Sequence, residues 1–140
     1  MSMQLADTTA SAAADAVVDL IDVGGAGKIQ LWSGGMPGAT TTAPGGSLLA
    51  EINYGATAFG DAAAGVATAL GVPLSSVGLA AAGAGTNVGF YRIVSGGGTV
   101  IWQNDSVSTA GSTGLVLNTL SVAEGVTVEI TSHTFTQPTT

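Results

Sequence analysis

The residues of this chain whose types could do chemistry are few, and their spacing decides most of what they can do. Gly24-Gly25-Ala26-Gly27-Lys28 offers backbone amides and a lysine for a phosphate. A phosphate loop, however, needs a glycine five residues before its Gly-Lys pair, where Asp22 stands, and Ser or Thr after the lysine, where Ile29 stands. It also follows a strand and opens a helix, the reverse of the order expected here, so a helix exit and turn is the better reading. Gly83-Ala84-Gly85-Thr86-Asn87-Val88 starts like a dinucleotide fingerprint but has Val88 where the third glycine belongs. His133 is the sole histidine, so no two-histidine metal site exists, and no nucleophile elbow accompanies it. It is expected to be exposed or on an edge strand. Asp105, Glu124 and Glu129 could pair as acid and base or hold calcium, but no Asp-x-Asp-x-Asp-Gly loop is present, and solvated turn acids are expected. Asn104-Asp105-Ser106 matches a glycosylation sequon, which matters only in an exported chain. No catalytic residue, metal ligand or cofactor site is therefore assigned.

Charge and composition narrow the partners. Nine acids stand against Lys28 and Arg92, a net charge of −7, so no basic face can form and nucleic acid is not an expected partner. With no cysteine, neither a disulfide framework nor a thiolate metal site is available. The first residues, Met1 to Asp7, lack the basic and apolar regions of a secretory signal, so synthesis without export is expected. Only 8% of residues are charged and much of the apolar fraction is Ala and Val, which bury little area each. That thin margin predicts that a self-association or a host surface completes the fold.

The elements that must position these residues follow from pattern. At 140 residues the chain suits one structural unit, divided as an N-terminal helix and linker over 1–27 and a β domain over 28–140. Ala10, Ala13, Ala14, Val17, Leu20 and Ile21 form one apolar stripe and predict a helix from Thr8 to Val23, capped by Asp7 or Thr8 and released by Gly24-Gly25. Asp22 in its last turn opposes the helix dipole. Lys28 to Ser33 alternates, with Ile29 and Leu31 on one face. Residues 34–46, with prolines 37 and 44, five glycines and three threonines, predict a long exposed loop. Ser47 to Tyr54 is a second strand.

From Ala62 to Tyr91 there is no charge. Ala64 to Ala84 is long enough to span a bilayer, but its glycines, Pro73 and lack of large apolar residues argue against a membrane. Short strands over Gly65 to Leu70 and Val77 to Ala81, joined by a Pro73 turn, are expected instead. Asn87 to Gln103 predicts the central hairpin, two β-branched and aromatic runs around Ser95-Gly96-Gly97-Gly98, holding Phe90, Tyr91 and Trp102 as core. Arg92 between aromatics suggests a structural ion pair, a stacked guanidinium, or a contact between subunits. Gly114 to Asn118 is a further strand. Val126, Val128 and Ile130 alternate with Thr127, Glu129 and Thr131 in the last one, with His133 to Gln137 extending it to Pro138. The expected class is all-β: a β-sandwich or jelly-roll-like domain of about eight short antiparallel strands behind one N-terminal helix.

Three blocks together resemble a family of small virion proteins of tailed bacteriophages: Lys28 to Gly34 with Pro37 and Leu48 to Ile52; Phe90-Tyr91-Arg92-Ile93; and Val126 to Phe135. Some members are capsid decoration, or cement, proteins. The resemblance implies a non-enzymatic protein made in the host cytoplasm and carried on the virion capsid surface, where it binds the major capsid protein and itself, as a trimer rather than a dimer. Contact residues then fall in the long loop, at Gly34, Met36, Pro37, Thr41 and Pro44, and at Arg92. The alternatives are a tail or fibre component that binds the host surface, and a small hydrolase, which the missing catalytic residues disfavour.

Overall fold

The structure, a computed structural model, describes residues 3–111 and 114–137; Pro138 lies outside the described residues. It is mostly β, with one N-terminal helix, and its strands form a four-stranded and a five-stranded sheet in a sandwich-like arrangement, with a separate antiparallel pair made by Thr86–Asn87 and Ser121–Val122. The helix α1 (Asp7–Asp19) runs into a 3₁₀ turn (Leu20–Asp22). Then follow β1 (Lys28–Trp32), β2 (Leu48–Asn53), β3 (Val66–Thr68) and β4 (Leu74–Val77). A second 3₁₀ turn (Ala80–Ala82) precedes β5 (Thr86–Asn87), β6 (Phe90–Val94) and β7 (Val100–Asn104). The last four are β8 (Val107–Ser108), β9 (Leu115–Leu117), β10 (Ser121–Val122) and β11 (Thr127–Thr136).

The first sheet has the order β2-β1-β6-β7, all antiparallel. Its inner face carries Ile29, Leu31, Ile52, Tyr91 and Ile93. The second is organised on β11, which pairs with β4 and then β3 along one side and with β9 along the other; β9 in turn takes β8 in parallel. Leu115, Leu117, Val128 and Ile130 complete the core from this side. The eight strands expected are resolved into eleven, three of them two residues long, and the β8–β9 pair departs from the all-antiparallel expectation.

Residues 64–84 form β3, a turn with a cis Val72–Pro73 peptide, β4 and a 3₁₀ turn. The second expected strand, Val77 to Ala81, is thus shifted to Leu74–Val77, with a helical turn at Ala80–Ala82 in its place. Among the described residues, no helix is long and apolar enough to cross a membrane.

The helix needs three corrections. Ala10, Ala14, Val18 and Ile21 are buried, whereas Leu20 is half exposed, so the stripe turns towards Val18. The N-cap is Ala6, with no side-chain cap, and Asp7 opens the first turn. Asp22 is no blemish. Its carboxylate accepts from the Ala58 N–H at 3.0 Å, Asp15 accepts from Ala62 N at 2.7 Å, and Ser11 Oγ accepts from Gly65 N at 3.1 Å. Positions 11, 15 and 22 fall on one helical face, and they fasten the irregular 58–65 segment by satisfying the backbone N–H groups of Ala58, Ala62 and Gly65.

Candidate functional site

The outer face of the first sheet carries a polar row set by register. Glu51, Gln30, Arg92 and Gln103 stand side by side on β2, β1, β6 and β7. Gln30 Nε2 donates to Glu51 at 3.0 Å, and Lys28 Nζ meets the other carboxylate oxygen at 3.1 Å. Among the described residues this Lys28–Glu51 pair is the one salt bridge. About a third exposed, such a pair adds little stability, but it takes Lys28 away from the glycine-rich turn.

Arg92 is 6% exposed and is held by neutral groups. Its Nε donates to Gln103 Oε1 at 3.0 Å, its Nη2 to the Thr42 carbonyl at 2.6 Å, and its guanidinium lies 5.9 Å from the Phe90 ring centroid. Gln103 Nε2 donates to the Pro37 carbonyl at 2.7 Å. The stacked guanidinium is thus the alternative that the geometry favours over an ion pair. All five β6 residues are buried: Tyr91 and Ile93 in the sandwich, the outer face by this loop and by Trp32, which stacks on Phe90 with centroids 6.4 Å apart.

The loop 34–46 therefore has no regular structure, yet it is anchored at Pro37 and Thr42. Its neck is closed by Ser33 and Ser47, which bond through backbone and hydroxyl. A Cβ at Gly46 would overlap the Ser33 carbonyl, and one at Gly89 the Gly34 carbonyl, so both glycines are required by close approach. Of the expected contact residues, Gly34, Met36 and Thr41 are exposed and Pro37 and Pro44 partly so. Arg92 lies beneath them as their anchor.

The glycine-rich segment 24–27 packs backbone to backbone against the hairpin tip: Gly96 N donates to the Ile21 carbonyl and Gly97 N to that of Val23. A Cβ at Gly96 would overlap the Gly25 carbonyl, so these glycines serve the contact between the helix exit and the hairpin.

His133 is where expectation and structure part. It is fully buried, not exposed and not at an edge. Tyr54, Phe59, Tyr91 and Trp102 surround it, with centroids between 5.1 and 6.2 Å from the imidazole. Nδ1 lies 3.0 Å from the Tyr54 hydroxyl, and Nε2 has no hydrogen-bond partner among the described residues. With Nδ1 accepting from the phenol, Nε2 carries the proton, and an N–H among aromatic rings costs less than a bare lone pair there. Burial depresses the imidazole pKa to about 3 and raises those of Tyr54 and Tyr91. The missed signal is a bulge: Ile130 pairs with Leu117 and Ser132 with Val116, leaving Thr131 extra. That residue moves the inward phase of β11 from even to odd positions, turning His133 inwards.

Asp105 and Glu124 are exposed and Glu129 partly so. Among the described residues no three His, Asp or Glu side chains converge in a way that could hold a metal ion. No protein-family model, curated protein or solved structure matches the chain.

Proposed function

We propose that the chain is a non-enzymatic structural protein of a tailed-phage virion, most specifically a decoration protein that binds the outside of the major capsid protein shell. The observation that carries this reading, beyond the three-block sequence resemblance, is the uncharged 34–46 loop held on a rigid sheet by Arg92 and Gln103. A loop already ordered loses less entropy on docking than a free one, so it suits a contact between neighbouring shell subunits. Self-association, as a trimer, uses a second surface. Val77 (49% exposed), Leu79 (40%) and Val126 (57%) lie together, since the Gly78 N–H donates to the Val126 carbonyl, and apolar exposure of this kind favours a protein neighbour.

A protein that binds the assembled shell and not its separated subunits stabilises the shell by mass action, about 2.7 kcal/mol at a free concentration a hundredfold above Kd. Heads depleted of it should open at lower temperature and recover when it is added back. Identical melting of depleted and replete heads, or localisation of the labelled protein to the tail tip, refutes the decoration role. One observation favours a tail or fibre role in host-surface binding: a half-open aromatic pocket at the end of the sandwich.

A further inference from the structure

That pocket, of about 210 Å³, forms where β11 outruns β9. Thr134 N donates to the Gly114 carbonyl, the last bond between their segments among the described residues, and Phe135 and Thr136 continue along β11. Three aromatic side chains wall it: Tyr91 and Trp102 from the first sheet and Phe135 from the second. Trp102 and Phe135 are partly exposed and stand 5.0 Å apart at 45°, an open angle rather than a closed stack. Asn104, Thr134 and Thr136 add polar side chains, and among the described residues no charged one takes part.

We propose that this pocket binds one ring of a neutral saccharide. The argument is complementarity. A hexopyranose has a face of polarised C–H bonds that suits the negative face of an aromatic ring, and a periphery of hydroxyls that need both donors and acceptors. The polar groups are set in advance. Asn104 Oδ1 accepts from the Ser106 N–H at 2.8 Å, which fixes the side chain and leaves Nδ2 to donate. Thr134 Oγ1 accepts from Gly114 N at 3.0 Å, leaving its O–H proton to donate. A charged ligand would find no counter-charge, and an aromatic side chain of a peptide would leave most of these donors unused. The volume is below the roughly 300–1,000 Å³ of sites for drug-sized ligands, which suits a single ring. The site does not depend on where in a particle the protein sits.

The test uses the full chain with Trp32→Phe, so that Trp102 is the sole tryptophan and can be excited selectively. Methyl β-D-glucopyranoside, methyl β-D-galactopyranoside and N-acetyl-D-glucosamine are titrated, read by Trp102 emission and saturation-transfer NMR. At least one should bind with a Kd of order millimolar. Asn104→Ala and Thr136→Val, both at exposed positions, should each weaken it about fivefold while circular dichroism shows an unchanged fold; Trp102→Ala should abolish it. The proposal is overturned if none of the three binds at about 50 mM, if both polar variants bind as well as the parent, or if N-acetyl-tyrosinamide binds and the sugars do not.

Discussion

The Nδ1 atom of His133 and the hydroxyl of Tyr54 lie 3.0 Å apart in the aromatic interior between the two sheets. Among the described residues it is the one hydrogen bond of the imidazole, because Nε2 has no such partner there. The burial that makes this pair also makes the core sensitive to acid.

The unfolded chain takes up a proton on His133 below about pH 6.5, and the folded chain not until about pH 3. Between those values the unfolded state binds more protons, so His133 lowers stability as pH falls, by about 1.4 kcal/mol per unit and about 2 kcal/mol in all by pH 5. Urea melts of the native chain and His133→Phe should differ in slope across pH 6.5 to 4. Tyr54 and Tyr91 titrate far above this window, burial having raised both. Parallel stability profiles for the two proteins would refute the assignment.

Gln103→Ala removes both the acceptor of Arg92 Nε and the donor to Pro37. The expected cost is about 1–3 kcal/mol, much of it from the Arg92 donor left beneath the loop. Amide exchange at Thr42, whose N–H bonds the Ala39 carbonyl, should accelerate more than that of β1.

Asp15→Ala and Asp22→Ala each strand a backbone N–H, at Ala62 and Ala58. Each should cost about 1.5–3 kcal/mol, with Asp22→Asn recovering part of the loss because its amide oxygen still accepts. Thermal melts of the three variants would decide it.

Gly89→Ala drives a methyl group into the Gly34 backbone and should destabilise by about 2 kcal/mol or more, whereas Gly38→Ala meets open space and should stay within about 0.5 kcal/mol. Equal urea midpoints for the two would show that the loop neck yields.

Much of the first sheet was legible in residue order. The alternation of Ile29 and Leu31 gave β1 and its buried face, and the aromatic runs around Ser95-Gly96-Gly97-Gly98 gave the hairpin, because adjacent strands obey local rules. What stayed hidden depended on distant partners. Asp22 looked unfavourable until Ala58 supplied its donor, and the acceptors of Arg92 lie on Gln103 and Thr42, the latter in a segment without periodicity. His133 was misplaced because strict alternation from Val128 and Ile130 points it outwards. Only the pairing with β9 shows that Thr131 is extra. Val126 fails for the same kind of reason, lying ahead of the strand and exposed.

The position of β11 as common partner of β3, β4 and β9 also sets the order of events in folding. The β6–β7 hairpin closes a short loop and can form early, whereas β11 must find residues as distant as Thr68 from Thr134, a search that slows folding towards the millisecond-to-second range. The second sheet has no stable half, because removing β11 leaves β3 and β4 with no strand to pair with. Its assembly therefore waits on the C-terminal strand, which also carries His133 into the interior.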